Sequence, residues 1–172
     1  MKTKACLCWG LFLLGALSPL RGMSAAEIPL PRGFVASGSG EFYGAPDKKL
    51  ANGTIFNYMN GGGVVYLEHG FQKLVHREFS NPGKRVITFD RFTMETEAQA
   101  VTALADERIA PAGGSPLTLG VLNKAYRFPP DYFIYLVLDK SLIYLHVDDD
   151  TLRDTLDQFA ADIVQSSKGE KE

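Results

Sequence analysis

The spacing of apolar positions changes several times along this chain, and each change marks an element. Over 54–69 the apolar members Ile55, Phe56, Met59, Gly63, Tyr66 and Leu67 recur at steps of three and four. This is the pattern of an amphipathic helix, with Asn52 as the expected N-cap and Gly70 as the stop. Gly61, Gly62 and Gly63 fall in its middle, so either the helix breaks there or its bare face admits another backbone closely. Residues 71–80 and 85–93 read as two strands around Asn81-Pro82-Gly83-Lys84, which puts proline second and glycine third in a type II turn. Thr96-Glu97-Ala98-Gln99 has capping-box spacing. It opens a helix with an expected buried stripe of Val101, Leu104 and Ala105, ended by Pro111 and Gly113-Gly114.

The last third alternates less and is greasier. Residues 117–128 read as a strand weakened by Gly120, and Pro129-Pro130 forces a turn. Residues 132–138 and 142–147 are apolar at nearly every position and meet at Asp139-Lys140, so both faces of these strands must be covered. Asp149 or Asp150 then caps a final helix with Leu152, Leu156, Phe159 and Ile163 on one side. Residues 41–49 hold at most one short strand. Hairpins outnumber crossovers, which predicts an α+β fold: a mainly antiparallel twisted sheet of about five strands with about three packed helices.

Residues 1–26 follow a different rule. Lys2 and Lys4 precede an apolar run from Ala5 to Leu17, and the small residues Ser24-Ala25-Ala26 come just before Glu27. That order is the layout of a secretory signal peptide, and the run is shorter than the roughly 20 residues a spanning helix needs. The expected organisation is a signal peptide over 1–26, a flexible glycine- and serine-rich lead-in over 27–40, a single domain over 41–166 and a disordered polar tail over 167–172.

Removing 1–26 leaves 146 of the 172 residues, enough for a sizeable core. The leader takes Lys2, Lys4 and Arg21 and no acid, so 15 basic side chains remain against 20 acidic ones. With no basic stretch longer than two residues, that balance argues against nucleic acid and anionic lipid as partners. Cys6 and Cys8 both lie in the leader, so the exported chain would carry no disulfide, thiolate metal ligand or cysteine nucleophile. The destination expected is the periplasm or the medium, with no stable membrane anchor after cleavage.

The run Tyr58-Met59-Asn60-Gly61-Gly62-Gly63, followed by Tyr66 and then Gly70-Phe71, resembles the signature of a family of exported bacterial proteins of unknown function. Its members carry Tyr-Ile-Asn-Gly-Ala/Gly-Ala/Gly, then Tyr, then Gly-Phe, and here Met59 replaces the usual Ile. The resemblance weakens beyond Asp90, where Arg91-Phe92-Thr93-Met94-Glu95 replaces a glycine-containing turn. It implies export and a single α+β domain, and it brings no activity.

Candidate chemistry is sparse. Asn60, Gly61, Gly62 and Tyr66 are the candidate ligand-binding residues: bare backbone would clear space while Asn60 and Tyr66 donate hydrogen bonds. The competing role for the glycines is close packing of the helix on the sheet. They make no phosphate loop, because no Lys-Ser/Thr follows and they do not open a helix after a strand. His76 and Glu78 share a strand face, and with His146 they form the alternative: a hydrolase or metal-dependent enzyme. No short-spaced metal motif is present, Asp148-Asp149-Asp150 lacks the pattern of a calcium loop and reads as a helix cap, and no serine sits in a nucleophile elbow. The aromatic set Tyr126, Phe128, Tyr132, Phe133, Tyr135 and Tyr144 is either core or, if one sheet face is open, a binding patch. The expected function is an exported, cofactor-free binding or accessory domain for an unknown small ligand or exported protein partner, with no catalytic residue and no metal.

Overall fold

The computed structural model describes residues 28–169. The expected signal peptide and the last three residues of the expected tail lie outside them. Two short strands, β1 (Val35–Ala36) and β2 (Glu41–Gly44), precede a broken helix, α1 (Ile55–Met59) and α2 (Gly63–Glu68), joined by a 3-10 turn over Asn60–Gly62. Then come β3 (Phe71–Ser80), β4 (Val86–Met94), α3 (Glu97–Ala105), β5 (Asn123–Phe128), β6 (Asp131–Leu138), β7 (Ser141–Val147) and α4 (Arg153–Gly169). The strands form one antiparallel sheet in the order β1-β3-β4-β7-β6-β5, with β2 also paired to β3. It consists of the β3–β4 hairpin, with β1 and β2 both along the outer edge of β3, and the β5–β7 meander, zipped together where Ile87 to Thr93 pairs with Val147 to Ser141.

The sheet has seven strands instead of about five, because short edge strands occur on both sides of Gly38 and Gly40. Within the lead-in, Ile28 and Phe34 are buried, and Val35–Ala36 pairs with Ser80 and Phe79.

Helices pack on both faces, fully over the α4 side and in part over the other, and the near-continuous apolar strands are buried between them. Along β4, Ile87 and Phe89 face α4, while Asp90, Phe92 and Met94 face α1, α2 and α3. Beneath α4, Phe159 packs edge-on against Phe79 with ring centroids 5.4 Å apart, beside fully buried Leu156, Ile163, Ile134 and Leu145. On the other face Tyr66 stacks on Phe92 at 4.2 Å, above Leu74, Leu142 and Val137. α3 buries Ala100, Ala103 and Leu104; Val101 is only partly covered and Ala105 is exposed.

Several local expectations change. The helix over 54–69 breaks at Asn60, which takes φ 49° and ψ −133°, and Gly70 stops its second half at φ 71°. Thr54, not Asn52, caps it: Asn57 Oδ1 accepts the Thr54 N–H at 2.9 Å, while Asn52 Oδ1 accepts the Phe42 N–H and ties down β2. The β3–β4 turn is not type II, since the residue with positive φ is Lys84 (59°) and not Gly83. The Lys84 N–H bonds the Asn81 carbonyl, a turn closed by one left-handed residue that adds a position to the loop. The strand expected over 117–128 is reduced to its second half. Gly120 takes φ 72°, and the Asn123 side chain accepts from the Leu117 N–H and donates to the Leu117 and Val121 carbonyls, holding the preceding residues as a loop. Ser167, assigned to the tail, is buried in α4.

Candidate functional site

Antiparallel register places side chains in rows across the sheet, and two rows on the α1–α3 face are not fully roofed by helix. One runs Glu41, His76, Asp90, Tyr144, Tyr135 and Lys124; the next runs Glu78, Thr88, His146, Phe133 and Tyr126. The helices cover the row beyond, from Leu74 through Phe92 and Leu142 to Val137. These two rows therefore carry the polar groups that a strand face can afford only near its open end.

Tyr58 reaches down from α1 onto the first row. Its hydroxyl donates to Asp90 Oδ2 at 2.8 Å and lies 3.1 Å from His76 Nδ1, while His76 Nδ1 donates to Asp90 Oδ1 at 2.7 Å. Asp90 is 4% exposed, so its carboxylate depends on these two donors. Because the Nδ1–H of His76 is donated to Asp90, Nε2 is the ring nitrogen left to gain or lose a proton. Burial by itself would lower the His76 pKa, but the hydrogen bond and charge of Asp90, helped by Glu41 and Glu78, raise it on balance. Burial, then the charge of Asp90 and the bond to it, pushes the Tyr58 pKa far up. Tyr135 is pushed to about 12, first by burial and then by Tyr126 and Asp90. Both phenols are neutral donors at any ordinary pH.

Aromatic rings continue the rows. Tyr144 lies 4.9 Å from Tyr135 and 5.9 Å from Phe133, Phe133 stacks on Tyr126 at 5.0 Å, and His146 lies nearly parallel to Tyr144 at 6.0 Å. Of the six aromatic residues singled out from the sequence, Tyr126, Tyr132 and Tyr135 are core, Phe133 and Tyr144 are partly exposed and Phe128 is exposed. The set divides between the two roles considered for it.

Beside this surface an open cleft of about 460 Å³ runs between the α1–α2 segment and the residues after α3. Gly61, Gly62, Val64 and Tyr66 line one side, Arg108 and Ile109 the other, and Tyr135 joins the cleft to the aromatic row. Three of the four sequence candidates (Gly61, Gly62 and Tyr66) thus meet at one cavity. Asn60 is not among its lining residues and stands at the strained turn before it. Arg108 is held at the mouth by Glu68 (2.7 Å) and Asp106 (2.6 Å), and its hydrogen bonds, with that of His69, keep the Asp106 carboxyl well below the usual range.

The glycine run separates into two functions. Gly61 has open space where a Cβ would stand, and for Gly62 the nearest atom is Met59 Cβ at 4.0 Å. Gly63 is buried, and a Cβ there would come within 3.0 Å of Ile55 Cγ2. Gly63 is the packing glycine; Gly61 and Gly62 border the cleft.

His76, Glu78 and His146 do not converge as a set. His76 Nε2 is 4.0 Å from Glu78 Oε1, whereas His146 Nε2 bonds Asp131 Oδ1 at 2.8 Å, two strands away on β7. Among the described residues no group of three or more His, Cys, Asp or Glu side chains is placed to hold a metal ion. Asp149 caps the turn into α4 through the Thr151 N–H, in line with the helix-start role expected for the acidic run.

The Tyr58–His76–Asp90 group was not singled out as a unit from the sequence. The signal was the hairpin: its true register sets His76 directly opposite Asp90, while a type II turn would have set His76 opposite Phe89.

Among the described residues no helix is long and apolar enough to cross a membrane. No family model matches the sequence, and no curated protein matches it. Among solved structures the chain is similar to the extracellular domain of PknH from Mycobacterium tuberculosis, with 12% sequence identity and a TM-score of 0.46 over 80% of this chain and 86% of that chain.

Proposed function

We propose that this protein is an exported binding or accessory domain, working without a cofactor, that holds a small ligand or a short part of an exported partner in the cleft beside Gly62 and Tyr66. The supporting observation is the cleft of about 460 Å³, within the size range of small-molecule sites, with a mixed polar and apolar lining, bare backbone on one side and the Tyr66 and Tyr135 rings beneath. Its polar neighbours are paired in advance: Tyr58, His76 and Asp90 hold one another, and Arg108 pairs with Glu68 and Asp106 at the surface. A site with prearranged groups loses less entropy on binding. The order of basic, apolar and small residues over 1–26 supports export to the periplasm or the medium.

The test is a thermal-shift screen, with metals, lipids and cell-wall fragments, of protein purified after expression of the full chain. A ligand selective for the folded state raises its melting temperature. Gly62→Val, which has space for its side chain but narrows the cleft, is expected to fold and to lose that shift. If Gly62→Val keeps the full shift, the cleft is not the binding site.

A further inference from the structure

The seven tyrosines of the chain divide by what their hydroxyls bond. Those of Tyr43, Tyr58, Tyr126 and Tyr132 donate within the protein, to Glu41, Asp90, the Pro111 carbonyl and Asp157. Among the described residues the hydroxyls of Tyr66 and Tyr135 have no hydrogen-bond partner, although the two residues are only 7% and 9% exposed. Polar groups so deep in a fold are ordinarily paired. Neither oxygen is sealed off from solvent, and both residues line the cleft of about 460 Å³, so the two donors open onto it. After burial, Tyr135 is the leading influence on the Tyr66 hydroxyl, which sets the two close together. Tyr144 is unpartnered as well, but it is partly exposed on the open rows and does not line the cleft.

The charge around the cleft selects what such donors can receive. Arg108 is the charged residue of the lining, and Glu68 and Asp106 already engage it, which leaves the mouth negative on balance. Asp90 adds its negative influence on both hydroxyls. An anion is therefore opposed, while a cation finds no carboxylate in the lining. An uncharged acceptor is what remains.

We propose that Tyr66 and Tyr135 donate together to the carbonyl oxygen of an uncharged amide, such as an acetamido group, whose apolar side rests on Val64, Val65 and Ile109. This rests on the binding role proposed for the cleft and names its class of ligand. A carbonyl oxygen has two lone pairs and so takes both donors at once. Amide resonance puts more negative charge on that oxygen than an ester or a ketone carries. Gly61 and Gly62 leave the width that a planar group needs, since nothing stands closer than 4.0 Å to where their side chains would begin.

Di-N-acetylchitobiose and N-acetylalanine N-methylamide are the probes, one an amide on a sugar and one peptide-like. Cellobiose and methyl O-acetyllactate are their counterparts without amides. Each is titrated by calorimetry against protein from the full chain, at low and at moderate salt. At least one amide is expected to bind about tenfold or more tightly than its counterpart, with little change as salt rises, and the one that binds identifies the source of the amide. Tyr66→Phe and Tyr135→Phe remove the hydroxyl alone. Each is expected to weaken that binding about tenfold or more and to leave the melting temperature of the free protein unchanged, because the hydroxyl bonds nothing in the fold. Should one variant fold poorly, the other carries the test. Equal binding of both amides and their counterparts, or full affinity in a folded phenylalanine variant, overturns the proposal. A Gly62→Val-sensitive shift from another screened compound, with neither amide bound, overturns the amide class and leaves the cleft reading in place. Amide binding that Gly62→Val leaves intact overturns both, since it then occurs elsewhere on the protein.

Discussion

His76 and Asp90 occupy directly opposed positions on β3 and β4, and their side chains meet with Nδ1 2.7 Å from Oδ1 under the ring of Tyr58. The pair joins the two strands of the β3–β4 hairpin to α1. It also brings a buried carboxylate to the edge of the aromatic rows.

Stability should depend on pH through His76. Its pKa lies above the usual 6.5 because Asp90 outweighs the opposing effect of burial. The folded state thus holds the imidazolium better than the unfolded chain does. That contribution is fully present below about pH 6.5 and fades as the pH climbs through the raised value. Urea midpoints at about pH 6 and about pH 8 should fall more for the native protein than for His76→Gln. Equal slopes would show that the histidine does not share charge with Asp90.

Tyr58→Phe keeps the ring against Tyr43 and His76 but leaves Asp90 Oδ2 without its 2.8 Å donor. A buried acceptor stripped of a partner costs about 1–3 kcal/mol. Chemical denaturation should show a loss in this range, and a loss well below it would mean that water reaches the carboxylate.

Phe159 is 1% exposed and touches both Phe79 and Phe89. Phe159→Ala should destabilise the fold by about 3–5 kcal/mol, read from equilibrium unfolding, because α4 is the cover for that face.

Glycine and asparagine positions around the break should respond oppositely. Gly70→Ala places a Cβ at φ 71° and within 2.7 Å of Gln99 Cδ, and should cost at least about 1 kcal/mol. At Gly62 a Cβ meets Met59 Cβ at 4.0 Å, and Gly62→Val should stay within about 1 kcal/mol of the native stability. Asn60 sits at φ 49°, so Asn60→Gly should be more stable than Asn60→Ala by about 1 kcal/mol in thermal or urea unfolding. The reverse order would show that the turn rearranges.

Local rules reached much of this fold. Thr96 caps α3 through the Gln99 N–H, and Gln99 reaches back to the Thr96 N–H, as the spacing of the two residues implies. Leu156, Phe159 and Ile163 form the buried side of α4, and 132–138 and 142–147 are strands inside the sheet, covered on the α4 face and in part on the other. These features depend on side-chain period and on residues within one or two turns of each other, so the sequence carries them directly. Side-chain bonds to nearby backbone moved boundaries that apolar spacing alone does not set. Asn57, three residues past Thr54, moved the start of α1, and Asn123 converted half an expected strand into a loop by bonding Leu117 and Val121.

The sequence by itself determined the α+β class, the periods of the main helices and central strands, and the unusual character of the segment from Tyr58 to Tyr66. Tertiary structure decided the register of β3 on β4, the split between the packing role of Gly63 and the open cleft at Gly61 and Gly62, and the meeting of Tyr58, His76 and Asp90. The physical reason is distance along the chain. Periodicity and capping act between neighbours, whereas Tyr58, His76 and Asp90 come together only after one extra turn residue, Lys84 in its left-handed conformation, has fixed which side chains of the two strands face each other.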